Sequence, residues 1–428
     1  MSSFKILVSK DFLLLKALLS IIYIALELYY HHFISVDFKY MGYIPDLNLF
    51  KYLLTKIIFI SFLILSYDLF KRSEFLYVIY LLLLFFFYIP NAILFSFSDM
   101  AASPFISNVF FVSVFLITPY IKFSIPYIIV PLKYKIIALI TISILLLIPI
   151  IATFKLNINL NTFFLSEIYE TRDIFSENLK GYLNYFYHFE VKTIIPIALV
   201  FFMIRKKPFF IILFIIMLLY LFVISGNKLV YFTTIIVIYF YYIGKSYISK
   251  ISYFFLFTII LFALFPIIDN YILNSSLLGG VFVNRMFFIP ALLTHWYFDF
   301  FDGNPFYFAE SHFFNLFVES PYDTPVGFLI TKVYWNQSAA YANNGIVSDG
   351  FMNLGYLGVI IFSMIFSLLF SLFNSFNLHK GFFGIFFSYI YILLSAPLLT
   401  CFITGGILPF IILCFFVLNN RKTKLLNI

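Results

Sequence analysis

Seven of the nineteen carboxylates in this chain fall in one stretch, residues 269–350: Asp269, Asp299, Asp302, Glu310, Glu319, Asp323 and Asp349. The same stretch holds His295 and His312 but only two cations, Arg285 and Lys332. A carboxylate or imidazole that takes a proton from a hydroxyl is the usual general base of group-transfer chemistry. Glu310, His312 and Asp349 are the candidates for that role. A guanidinium grips phosphate oxygens in pairs. Arg285 sits in the apolar run Val281–Phe288, where it is costly unless it is paired or faces a wet cavity. An anionic ligand, an internal ion pair with Asp299 or Asp302, or snorkelling to the interface satisfies it. Two further cations stand apart from the lysine clusters: Arg172, and Lys228 in the turn Ser225-Gly226-Asn227-Lys228. A snorkelling or internally paired side chain is the plainer reading of each. Taken together, the three favour an anionic ligand.

Elements must aim these groups. If residues 281–302 are helical, Arg285, His295, Asp299 and Asp302 share one arc of the helix and form a polar stripe, unless Pro290 disturbs the register. Asn304-Pro305 reads as a cap followed by proline at the first helical position. The helix it predicts carries His312, Asn315 and Glu319 on one face, with a solvated interfacial face as the bland alternative. Asn343-Asn344-Gly345 is a turn signal. Asp349 then enters an apolar helix at its N-terminal end, where capping is the structural role for a carboxylate. Gly355 and Gly358 predict close helix packing.

The rest of the chain is membrane-like. Its 428 residues are 63% hydrophobic and 11% charged, with mean hydropathy +1.04. Apolar runs of spanning length recur throughout, which predicts an all-α integral membrane protein and not a barrel. About twelve transmembrane helices are expected in a single polytopic domain, residues 1–428. Two enlarged external loops, 155–190 and 269–350, interrupt them, the second containing short helices and the probable catalytic region. Alternating the connections places most of the 27 Lys and Arg on one side, with both termini cytoplasmic. Arg172, Lys228 and Arg285 then lie on the cation-poor outer side. The net charge of +8 serves topology and gives no sign of nucleic acid as a partner. Cys401 and Cys414 lie in apolar runs and form no metal or disulfide pattern. No metal and no other cofactor is expected. The 64 Phe and 33 Tyr accompany abundant Ile, Lys and Asn, all with AT-rich codons, so they are weak evidence for sugar stacking.

The order of parts resembles the Wzy-type O-antigen polymerases, or oligosaccharide repeat-unit polymerases. The resemblance rests on the many spans and two large external loops, the turn Ser225–Lys228, Arg285 shortly after a late span, and the run Asn343–Gly358. It implies glycosyl transfer between undecaprenyl-diphosphate-linked oligosaccharides at the outer face of a bacterial inner membrane, with a chain-length regulator as a possible partner. It also implies roles. Arg285, Lys228 and Arg172 would hold the pyrophosphate, and Glu310, His312 or Asp349 would take the acceptor proton. Asp299, Asp302, His295, Asn343 and Asn344 would contact glycan. A glycan ligase would share these features. A lipid-linked oligosaccharide flippase should instead place charges deep within several spans, and Glu27 and Lys56 read as lying near span ends.

Overall fold

The computed structural model describes residues 10–126, 130–155, 168–311, 314–337 and 340–418. These residues form helices and no strand. Among the described residues ten helices are long and apolar enough to cross a membrane, so the chain is an all-α, multi-pass membrane protein. Apolar helices also form where spans are expected near 229 and 381, Lys228–Tyr242 and Lys380–Ser395, and these are shorter than the ten.

The chain divides into two compact units. The first comprises Met1–Lys122, Ser246–Ser371 and Leu393–Leu398. Its centre is the span Glu74–Phe97, whose apolar window is wholly buried. Ser73 starts this helix by accepting from the Leu76 N–H at 3.2 Å, and Glu74 accepts from the Ile248 N–H at 2.9 Å, tying in the next long helix. Around it lie Lys10–Asp37, Leu49–Arg72, Ala102–Tyr120 and Tyr247–Leu273. Outward leucines and isoleucines such as Leu13, Ile24, Ile57 and Ile64 are exposed, as a lipid-facing surface requires. The second unit comprises Phe123–Lys245, Leu372–Ile392 and Leu399–Ile428, with the mostly buried span Tyr182–Ile204 at its centre. There the missing side chain of Gly384 lets two helices touch, since a Cβ would lie 2.6 Å from the Val237 Cα.

Three interior prolines share one device. Ile89-Pro90, Ile195-Pro196 and Ile289-Pro290 each open an α-helical segment that comes after a π-helical stretch: Leu84–Tyr88, Glu190–Ile194 and Gly279–Phe288. Proline lacks an N–H and its ring collides with the carbonyl four residues back. Widening the preceding turns relieves both problems and lets the helix continue. Pro149 sits inside Leu132–Phe154 without such a stretch before it.

The 269–350 segment is more helical than its sequence predicts. The span from Tyr247 runs on to Leu273. A short turn comes next, closed by Asp269, which accepts from the N–H groups of Leu278 at 2.9 Å and Gly279 at 2.8 Å. The chain is then helical from Gly279 to Phe300, and most of this helix is buried. Conversely, the helix expected from Asn304 does not form. Tyr307 and Phe308 take left-handed φ values of 50° and 61°, and the backbone pairs elsewhere. Phe306 N–H donates to the Met352 carbonyl at 2.8 Å, and Tyr307 N–H to the Asn353 carbonyl at 3.1 Å.

Those carbonyls are free because the helix Ile346–Phe376 breaks at Leu354 and Gly355. Gly355 has φ 59° and ψ −146°, a conformation open essentially to glycine alone. The bend folds Gly358 onto Gly350: a Cβ on Gly358 would stand 1.8 Å from the Gly350 carbonyl oxygen. Gly355 thus makes the kink, and Gly358 lets the helical segment after it pack closely on the segment before it. Gly355→Ala should cost about 1–3 kcal/mol of stability, and Gly358→Ala at least as much. Thermal unfolding of the purified protein in detergent should show both midpoints lowered, and an unchanged midpoint for either would refute this account of the bend.

Candidate functional site

The polar centre of the first unit is built around Asp349, which is 3% exposed. Its Oδ2 accepts from the Leu398 N–H at 2.7 Å and its Oδ1 from the Asn353 side-chain amide at 2.9 Å. Asn353 Oδ1 in turn accepts from the Phe308 N–H at 2.7 Å. Gly345 lets the 393–398 segment close in, since a Cβ there would lie 2.4 Å from the Leu394 carbonyl oxygen. Asp349 therefore satisfies the backbone of Leu398 instead of capping its own helix. Glu310 does similar work: its Oε1 accepts from the N–H of Val326, which opens the helix Val326–Trp335, at 2.5 Å.

Tyr297 links the two carboxylates. Its hydroxyl donates to the Ala342 carbonyl at 2.9 Å, and it lies within electrostatic reach of Tyr341, Glu310 and Asp349. Partial burial pushes the Glu310 carboxyl above its ordinary value, and the bond from Val326 opposes that rise without cancelling it. Glu310 and Asp349 thus share one neighbourhood, each already holding a backbone amide. His312, the third candidate base, lies outside the described residues.

The other candidates are dispersed. The expected polar stripe does not form, because the π-helical stretch Gly279–Phe288 changes the angle per residue and the helix ends at Phe300, before Asp302. His295 is buried, 6% exposed, while Arg285, Asp299 and Asp302 are exposed. Among the described residues neither ring nitrogen of His295 has a partner. Burial, reinforced by nearby Lys51, pushes its pKa down to about 3, so the imidazole is neutral. Asp299 accepts from the Tyr334 hydroxyl at 2.5 Å. Asn343 is exposed. Asn344 is buried, its Oδ1 without a partner among the described residues.

Arg285 does not form the internal ion pair with Asp299 or Asp302. Its neighbour Asn284 is buried and accepts from the Tyr43 hydroxyl at 2.8 Å, which fixes this part of the helix against the unit. Arg285 points the other way and is exposed. Among the described residues its guanidinium has no ion pair, and Asp299 is engaged with Tyr334.

In the second unit, Gly226 ends the helix Pro208–Ser225 in the left-handed region at φ 59°. A Cβ on it would lie 2.7 Å from the Ile168 carbonyl oxygen and 3.5 Å from the Arg172 backbone nitrogen. This glycine thereby seats the helix Ile168–Asn178, which carries the exposed Arg172, against the turn that leads to Lys228. Lys228 opens the helix Lys228–Tyr242, and its side chain lies outside the described residues.

Charges lie deeper in the spans than their sequence positions imply. Glu27 and Lys56 form an ion pair between the spans Lys10–Asp37 and Leu49–Arg72, with the ammonium 3.3 Å from the Tyr23 ring centroid. Glu190, placed by sequence in the first external loop, is fully buried inside the span Tyr182–Ile204 and accepts from the Ser143 hydroxyl. Its Oε2 has no partner among the described residues. Lys192 lies half-buried in the same span. Among the described residues no group of three or more His, Cys, Asp or Glu could hold a metal ion.

No protein-family model, curated protein or solved structure matches the chain.

Two tests separate structural from catalytic carboxylates. Asp349→Asn turns one acceptor oxygen into a donor facing another donor, so it should lower stability by about 1–3 kcal/mol. Loss of activity with no loss of thermal stability would instead make Asp349 a base. For Glu310 the folded value lies above the ordinary 4.5, so the folded state binds the proton more tightly. Its contribution to stability is greatest below 4.5 and is lost as pH rises through the folded value. Glu310→Gln should flatten this part of the pH–stability profile, and a profile unchanged by the substitution would refute the assignment.

Proposed function

We propose that this protein polymerises undecaprenyl-diphosphate-linked oligosaccharide repeat units into a surface polysaccharide, by glycosyl transfer at the outer face of a bacterial inner membrane. The observation that carries the reading is Arg285: an exposed guanidinium without an ion-pair partner among the described residues, on a mostly buried helix whose other exposed residues are Val281, Phe282 and Asp299. Glycosyl transfer from a diphosphate donor builds positive character on the sugar and negative charge on the departing pyrophosphate. A fixed guanidinium stabilises that charge, and on this reading Arg172 and Lys228 add to it. Glu310 is the base we favour, because it combines exposure with a raised affinity for protons. Asp349 is more deeply committed to backbone amides. Both termini would be cytoplasmic, and a chain-length regulator would be the protein partner. A ligase that moves finished glycan to another lipid would use the same residues.

A second reading has its own observation. Glu190 and Lys192 lie within one span, the carboxylate fully buried, and intramembrane ionisable groups mark transport pathways. A lipid-linked oligosaccharide flippase is therefore the alternative of a different class.

The test is a deletion strain complemented with wild type, Arg285→Ala or Glu190→Gln at matched protein levels, with surface lipopolysaccharide resolved on a gel. The deletion should leave core bearing a single repeat. Wild type should restore the ladder, and Arg285→Ala should reduce it about 100-fold or more. Complete absence of O-antigen in the deletion, with Glu190→Gln failing to restore it, would favour the flippase. Absence with Glu190→Gln active would favour the ligase. An unchanged ladder in the deletion would overturn all three.

A further inference from the structure

Both tryptophans of the chain occupy one cluster. Trp296 packs parallel to Tyr334, with ring centroids 5.1 Å apart and planes 8° apart, and edge-on to Trp335 at 4.8 Å and 86°. AT-rich codon usage explains the abundance of Phe and Tyr but supplies no tryptophan, so two Trp packed together are not a by-product of that bias. The cluster lies at the C-terminal end of the helix Val326–Trp335, outside the ten long helices. Polar groups edge it. Asp299 is exposed and accepts from the Tyr334 hydroxyl at 2.5 Å. Asn336, exposed, ends the helix in the left-handed region at φ 54°. The indole N–H of Trp335 is buried and has no partner among the described residues; Trp296 is buried as well, so Tyr334 and the Trp335 ring are what the cluster partly exposes.

We propose that the partly exposed Tyr334 and Trp335, backed by the buried Trp296 and edged by Asp299 and Asn336, form a carbohydrate subsite that holds one pyranoside ring of the growing glycan. The proposal rests on the polymerase reading and adds to it a place for sugar apart from the reacting bond. The chemistry is specific to sugars. A pyranose presents an apolar face of C–H groups that packs on an aromatic ring, and a rim of paired hydroxyls. Indole and phenol rings offer a broad apolar surface with a polar tip. A carboxylate with one phenol as its partner still has lone pairs free for sugar hydroxyls, and the side-chain amide of Asn336 both donates and accepts. Tyr334 is the pivot, since its ring lies on Trp296 while its hydroxyl orients Asp299. A belt of tryptophan and tyrosine at a membrane surface is the competing account, and it predicts lipid contact.

Tryptophan emission from the full-length protein in lipid nanodiscs reports on this cluster alone, because the chain has two Trp and both are here. The probe is the oligosaccharide released by mild acid from the surface polysaccharide of the strain that carries the chain. Acrylamide in the water should quench the emission, and brominated phosphatidylcholine in the disc should not. The oligosaccharide should shift the emission and protect it from acrylamide. Asp299→Asn and Tyr334→Phe should each weaken that response about 10-fold. Trp335→Phe, checked for folding by its remaining Trp296 emission, should abolish the protection. Quenching by brominated lipid would make the cluster a membrane belt and overturn the proposal. Quenching by acrylamide with no response to oligosaccharide would also overturn it, leaving the polymerase reading to the gel ladder. A saccharide response in a protein whose deletion leaves the ladder unchanged would support the subsite while the polymerase reading fails.

Discussion

One buried chain of hydrogen bonds, from the Leu398 N–H through Asp349 and Asn353 to the Phe308 N–H, holds together three stretches far apart in sequence. In a protein whose helices are surrounded by lipid, apolar contact supplies little net drive to bring segments together, because lipid tails are as apolar as leucine. Polar groups that would otherwise go unsatisfied do that work. The bend at Gly355 creates free carbonyls, residues 306–308 supply the donors, and the Asp349 carboxylate closes the arrangement on the other side. Nearby, Glu310 is held by the Val326 N–H and Tyr297 by the Ala342 carbonyl.

The coarse architecture was legible in the sequence because hydropathy over twenty residues is a strong signal. Spans, lysine-rich ends and the special character of 269–350 all derive from it. The details that failed share a physical cause. The stripe through Arg285, His295 and Asp299 assumed 3.6 residues per turn, and Gly279–Phe288 is wound more widely. The helix from Asn304 looked sound by its cap and its proline, but local propensity lost to backbone partners at Met352 and Asn353. Nothing within the window of residues 304–319 could disclose those partners.

Candidate residues fared unevenly for the same reason. The isolation of Arg285 could be read from its apolar surroundings, and its exposure agrees with that reading. The work of Asp349 could not, because its principal partner, Leu398, lies 49 positions away in sequence. Glu190 shows the opposite error: a boundary drawn just after this carboxylate cut a helix that already begins at Tyr182.

The wide winding ahead of Pro290 has a consequence for how this protein changes over generations. A π-helical stretch holds surplus length, so a one-residue deletion within Gly279–Phe288 can tighten the coil toward an ordinary α-helix while the turn before it and the proline after it remain in place. Loss of a single codon there would therefore re-aim Arg285, which lies inside the stretch, while the segments on either side keep their places. The aim of that guanidinium is stored in the residue count of this stretch, a kind of inheritance that substitution alone neither reveals nor erases.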